Sequence, residues 1–174
     1  MANIICGVDV SSETLDGRIG GSGLEVSVRR DPAGIAALGR FCAEHGVELV
    51  VMEATGGYEK LPFGLLWAAG VPCAIANARS VRRFAEAMGV LEKTDRIDAG
   101  IIADYARAKG LAGQAPESQA QERLRALVTR LRQLTELKVA QSNQRRLVQE
   151  PHVQTAFAEM LTLIARQSLS LIHI

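Results

Sequence analysis

The run Val47-Glu48-Leu49-Val50-Val51-Met52-Glu53 constrains this chain more than any other segment. Four consecutive apolar residues between charges are too few for a buried helix. They suit a central strand covered on both faces, which a layered α/β domain provides. The neighbouring segments agree. Residues 3–10 read as a β-branched strand, and residues 15–19 and 24–29 as two more, with Gly20, Gly21 and Gly23 making the turn between them. Asp31-Pro32 opens a helix through about Glu44, because proline fits the first helical turn. Beyond the central run the pattern predicts a helix over about 58–69, a short strand in Val71-Pro72-Cys73-Ala74-Ile75-Ala76, a helix over about 78–88, and another from near Thr94 to Lys109-Gly110. Three strands followed by alternating helix and strand imply an α/β domain with a mixed sheet.

At 174 residues the chain has room for one domain and an appendage. The net charge of +1 hides an uneven distribution. Residues 1–60 carry 5 basic and 9 acidic groups, residues 61–110 carry 7 and 5, and residues 111–174 carry 8 and 5. An acidic first part followed by basic helices suits a metal site flanked by polyanion-binding surface, although surface helices often carry such a surplus without binding anything. Aromatics make up 4%, which argues against a stacking platform for single strands. Cys6, Cys42 and Cys73 are widely spaced within apolar runs, so reduced, buried thiols are expected rather than zinc ligands. The start of the chain has no basic leader, and the apolar stretch 61–76 is broken by proline and glycine and is too short to span a bilayer. A cytoplasmic protein is expected.

From Gln119 to about Gln149 there is neither proline nor glycine, and Leu124, Leu127, Leu131 and Leu134 repeat at heptad spacing. Two readings stay open: an amphipathic helix packed on its own domain, or a dimerising hairpin with Pro151 near its turn and a second helix from about Val153 to Arg166.

Four carboxylates stand at the edges of apolar segments, where an acid is costly unless a cation or hydrogen-bond donors meet it. Asp9 shares a strand face with Ile5 and Gly7, and Glu53 ends the central strand, where open α/β sheets place their ligands. Asp95 and Asp98, three apart on a helix, project from roughly one face. An oxygen-rich pocket of this type suits two divalent ions acting on a phosphodiester, Mg²⁺ or Mn²⁺. Each acid has a plainer explanation as well. Asp95 complements a helix N-terminus, Glu53 is an exposed strand end, and Asp9 caps the turn before Ser11-Ser12.

The strings GVDVSSETLDG at 7–17, VVMEATGGYE at 50–59 and EKTDRIDA at 92–99 resemble the three motif blocks of the DEDD-type insertion-sequence transposases, a family similar to Piv-type DNA invertases and known as bridge-RNA-guided recombinases. The resemblance covers roughly residues 3–110. It implies a RuvC-like, RNase H-like fold and a metal-binding catalytic set of Asp9, Glu53, Asp95 and Asp98. It further implies a DNA transposase or recombinase whose partners are DNA and a structured guide RNA. The later helices would form a coiled-coil-like hairpin that joins chains into dimers or tetramers. The localisation implied is prokaryotic cytoplasm, at the nucleoid. On this reading residues 1–112 are the catalytic domain and 117–168 the dimerisation region. Relatives continue into a domain carrying a nucleophilic serine, for which Ser168 and Ser170 are poor candidates. The tail at 169–174 matches what the mosaic-end adapter of transposon-based sequencing libraries would encode, so it is expected to be non-native, with the serine domain absent.

Several further residues are candidates for nucleic-acid contact. Thr55, Gly56 and Gly57 precede a helix and could offer backbone N–H groups to a phosphate, or could simply make a tight turn. Arg79, Arg82 and Arg83 lie on one helix, and Lys93 and Arg96 flank the aspartate pair. Phosphate contact or plain solvation explains each of them. His45, His152 and His173 do not cluster with the acids. Two rivals stand beside this reading: a stand-alone Holliday-junction nuclease, which uses similar acids, and a dimeric nucleic-acid-binding module without catalysis. The first block also resembles a phosphate loop of actin-like sugar kinases, but their second phosphate motif is not found in this sequence.

Overall fold

Alternation of apolar and polar side chains sets the first half of the sheet. In the computed structural model, which describes residues 3–90 and 95–173 and only the backbone of 95–98, the strands are β1 (Ile5–Val10), β2 (Thr14–Ile19) and β3 (Glu25–Arg29). They form an antiparallel meander. Helix α1 (Pro32–Glu44) follows, with Asp31 as N-cap accepting from the Gly34 N–H at 2.8 Å and Pro32 in the first turn, as expected from Asp31-Pro32. The central apolar run becomes β4 (Leu49–Glu53), parallel to β1, and β5 (Cys73–Ala76) extends the sheet in parallel beyond it. The strand order is β3-β2-β1-β4-β5, with β2 antiparallel to its neighbours. This is the mixed α/β sheet of the RNase H-like class.

Helices cover both faces, which is why β4 carries no alternation. Cys6, Val8, Val10, Val50 and Met52 pack against Ile35, Leu38 and Cys42 of α1 and against Phe63 and Leu66 of α2 (Lys60–Ala68). On the other face Ile5, Leu49, Val51, Ala74 and Ala76 pack against Val81 of α3 (Ala78–Ala87) and against Ile102, Ala103 and Ala106 of α4 (Asp95–Lys109). Each fully buried Val, Leu or Met contributes about 1.5–3 kcal/mol of transfer free energy. Cys6, Cys42 and Cys73 are free thiols buried in the first of these cores.

The chain divides into two compact units, Met1–Pro116 and Glu117–Ile174. The second is a helical hairpin of α5 (Gln119–Arg146) and α6 (Pro151–Ile172). Ser118 and Gln121 form a capping box that starts α5, and Glu150 accepts from the Val153 N–H at 2.7 Å to start α6. Helix α6 is longer than the 153–166 expected. Pro151 is its first residue, and Ser168 bonds back to the Ile164 carbonyl at 2.9 Å, so the helix continues through Leu169 to Ile172. Leu134 of α5 and Ile164 of α6 are buried, while Leu124 of the heptad series is 62% exposed. Among the described residues no helix is long and apolar enough to cross a membrane.

Candidate metal and nucleic-acid site

The parallel register of β1 and β4 pairs Ile5 with Leu49, Cys6 with Val50, Gly7 with Val51 and Val8 with Met52. One step further along the same register sets Asp9 beside Glu53. Both continue the face that bears Gly7 and Val51, towards α3 and α4, and both stand at the carboxyl edge of the sheet. Each is half-buried, so solvent and fold share the carboxylates.

Helix α4 lies directly on this face because Gly7 has no side chain. A Cβ there would come within 2.1 Å of the Ala99 carbonyl oxygen and 2.6 Å of the Ala103 nitrogen. Further along α4, Ala103 and Arg107 approach Gly20, whose N–H bonds the Ile5 carbonyl at the opposite end of β1. The helix therefore runs against the strand direction, and its first turn, residues 95–98, is directed towards the end of β1 that carries Asp9. The side chains of Asp95, Arg96 and Asp98 lie outside the described residues, as does Lys93 altogether. Among the described residues no group of three or more histidine, cysteine or acidic side chains gathers around one point.

The loop after Glu53 is held by one carboxylate. Gly56 and Gly57 take φ of +80° and +119°, conformations open to glycine, and bend the loop sharply. Glu59 Oε2 then accepts from the Thr55 N–H at 3.1 Å, the Gly57 N–H at 2.8 Å and the Thr55 hydroxyl at 3.3 Å. Partial burial pushes the Glu59 carboxyl up, but its own N–H and those of Gly57 and Thr55, together with the Thr55 hydroxyl, outweigh it and hold the group below the usual range. Two of the three N–H groups that the sequence offered to a phosphate, those of Thr55 and Gly57, thus already meet an anion supplied by the chain.

Arg79, Arg82 and Arg83 lie on the exposed side of α3, where Arg82 pairs with Glu86 at 3.5 Å. Val81 anchors the opposite side, and Phe84 stacks edge-on against Tyr105. The sequence reading passed over several residues at the carboxyl edge. Asp16 is the antiparallel partner of Asp9 and accepts from the Thr14 hydroxyl at 3.2 Å. The alternation in Thr14-Leu15-Asp16 carried that signal. Glu59 and the contact of Arg30 with Tyr58, whose ring centroid is 5.0 Å from the guanidinium carbon, carried no periodic signal.

A family model for transposases, the DEDD type of the IS110 group, matches residues 6–150. Among curated proteins none matches the chain. Of the solved structures, Thermus thermophilus RuvC in complex with a Holliday junction substrate is similar at 15% identity and a TM-score of 0.43, over 64% of this chain and 98% of that one. A fowlpox virus resolvase in complex with Holliday junction DNA is similar at 13% identity and a TM-score of 0.40, over 61% and 99%.

Proposed function

From the premise that the chain belongs to the IS110-type DEDD transposase family, we propose that the carboxyl edge of its sheet is a metal-dependent site for cleaving and exchanging DNA strands. The observation that carries this reading is the β1–β4 register, which brings Asp9 and Glu53 to one face and one edge of adjacent strands. Asp95 and Asp98, in the first turn of α4, complete the set that would hold Mg²⁺ or Mn²⁺. These are oxygen donors of the kind both ions accept, half-buried where described. When bound, two such ions supply charge stabilisation at the attacking and leaving oxygens of a phosphodiester.

The chain's own residues do the rest. Gly7 lets α4 press on β1, so the two carboxylate-bearing elements cannot drift apart. Glu59 fixes the loop that borders Glu53. The arginines exposed on α3 give sequence-independent attraction to a phosphate backbone. Guidance by a structured RNA belongs to the same reading and is supported by Arg123, Arg125, Arg130, Arg132, Arg145 and Arg146, all exposed on α5. Association into dimers or tetramers is supported by the apolar residues that the hairpin leaves uncovered, among them Val128, Val139 and Met160.

The test is calorimetric titration of Mg²⁺ into the chain and into its Asp9→Asn and Asp98→Asn variants, paired with a nicking assay on duplex and junction DNA. Weakened Mg²⁺ binding in both variants, with Mg²⁺-dependent nicking by the parent, is expected. Unchanged binding in both would reject the site. Binding of DNA without any nicking would leave a nucleic-acid-binding module.

A further inference from the structure

Four pieces of chain end at the carboxyl edge of the sheet: the β1–β2 turn, the end of β3, and the two ends of the β4–α2 loop. Arg30 ties three of them. Its backbone N–H bonds the Glu13 carbonyl at 2.7 Å, its Nε donates to the Ser12 carbonyl at 2.9 Å, and its guanidinium carbon sits 5.0 Å from the Tyr58 ring centroid. The side chain is therefore held at its root and along one face. Its two terminal nitrogens make no hydrogen bond or ion pair among the described residues. Tyr58 is 47% exposed although it stands in a loop pinned on either side by Glu59. A half-exposed aromatic ring with a guanidinium over it is unusual on a surface where aromatics are so scarce.

We propose that Arg30 and Tyr58 form a two-part contact for one nucleotide of a DNA strand crossing this edge. The free end of Arg30 takes the phosphate, and the exposed part of the Tyr58 ring takes an unpaired base. This deepens the strand-cleavage reading and rests on it. The donors are matched to the task. A planar guanidinium offers two parallel N–H groups to phosphate oxygens, and stacking along the Tyr58 ring lowers the cost of orienting it. Thr55 and Gly57 cannot fill this role while their N–H groups are bound to Glu59. The ring is sequence-tolerant, because every base has a π face. A strand held here lies along the edge that bears Asp9 and Glu53, so the contact positions the strand and takes no part in the chemistry.

Fluorescence anisotropy in EDTA, where no strand is cut, tests the proposal with a fully paired duplex and a gapped duplex of the same length. Arg30→Gln is expected to weaken both about tenfold and to reduce the salt dependence by about one counterion. Arg30→Lys keeps the charge and is expected to keep that salt slope. Tyr58→Ala is expected to weaken the gapped duplex by about fivefold or more while sparing the paired one, and Tyr58→Phe to bind both like the parent. Parental affinity and salt slope in Arg30→Gln and Tyr58→Ala, with the parent binding DNA, would overturn this inference alone. A loss in Tyr58→Phe equal to that in Tyr58→Ala would assign the effect to the hydroxyl and overturn it too. Equal sensitivity on a single-stranded RNA would overturn the assignment to DNA. No binding of either DNA by the parent would remove the strand-cleavage reading itself, and this inference with it.

Discussion

Gly7 and Ala99 meet so closely that a single methyl group on Gly7 would lie 2.1 Å from the Ala99 carbonyl oxygen. A strand and a helix separated by about ninety residues thus touch backbone to backbone. Both flank proposed metal ligands, Asp9 two residues beyond Gly7 and Asp98 one residue before Ala99.

Gly7→Ala is expected to be strongly destabilising, at or above the usual overpacking cost of about 1–3 kcal/mol. The obstacles are main-chain atoms of α4, which cannot rotate away as a side chain could. Urea unfolding followed by circular dichroism measures the loss. Because the helix must lift to admit the methyl group, Mg²⁺ affinity is expected to fall as well, at a temperature where the variant is still folded. Parental stability in Gly7→Ala would mean that α4 does not bear on β1 as described.

Glu53→Gln is expected to weaken Mg²⁺ binding by about tenfold or more, the scale reached even by changes outside the ligand shell, while leaving the fold intact. The carboxylate is half-buried at a strand end, and glutamine keeps its shape. Titration calorimetry reads the first effect and thermal unfolding without metal reads the second.

Much of this architecture could be read from local patterns. Asp31-Pro32 marked the start of α1 because a cap and a proline act within one turn, and Leu49–Glu53 was recognisable because burial on two faces removes alternation. The positions of Asp9 and Glu53 near the carboxyl ends of β1 and β4 were legible for the same reason, since both strands have a clear hydrophobic pattern. Glu59 was not. Its role depends on two glycines turning the chain back on itself, and nothing in residue order announces a carboxylate that fills its own loop. The pairing of Arg30 with Tyr58 joins segments twenty-eight residues apart without any period. Helix α6 overran its expected end, and Ser168, rather than stopping it, is accommodated by a bond back to the Ile164 carbonyl one turn earlier.

Glu59→Gln is expected to loosen the loop from Thr55 to Tyr58 and to lower stability by a modest amount, under about 1 kcal/mol given its exposure to solvent. The pH dependence has a definite sign. The folded carboxyl titrates below its ordinary value, so its contribution is fully present above the unfolded pKa near 4.5 and is lost as pH falls through the lower, folded value. The gap in melting temperature between parent and variant should hold steady from neutral pH down to about pH 5 and close below it. A gap that widened on acidification would contradict the hydrogen-bonding described for this loop.

The three thiols are expected to resist a thiol-specific reagent such as dithionitrobenzoate at pH 8 until the first unit unfolds. The neighbouring Cys42 thiol and burial push the Cys6 thiol well above its usual range, and burial, with a lesser contribution from Cys42, pushes Cys73 up to about 12; Cys42, which Cys6 holds below its usual range, is protected instead by being only 1% exposed. Three equivalents should then react together in denaturant. Rapid labelling of the folded protein would show that the core around α1 opens locally.

Leu134→Ala is expected to cost about 2–5 kcal/mol within the helical hairpin, since Leu134 is 1% exposed on α5, which packs along α6. Loss of helical signal at a lower temperature, with the transition of the first unit unchanged, is the measurable result.

The order in which the ribosome delivers these elements has a consequence of its own. Ile5, Leu49, Val51, Ala74 and Ala76 share one buried cluster with Ile102, Ala103 and Ala106 of α4. Between the synthesis of β4 and that of α4 the sheet is half clothed, for about fifty residues, or a few seconds at roughly 5–20 residues per second. During that interval the emerging chain presents a bare apolar face to everything in reach, the kind of surface that makes an unfinished chain prone to aggregate.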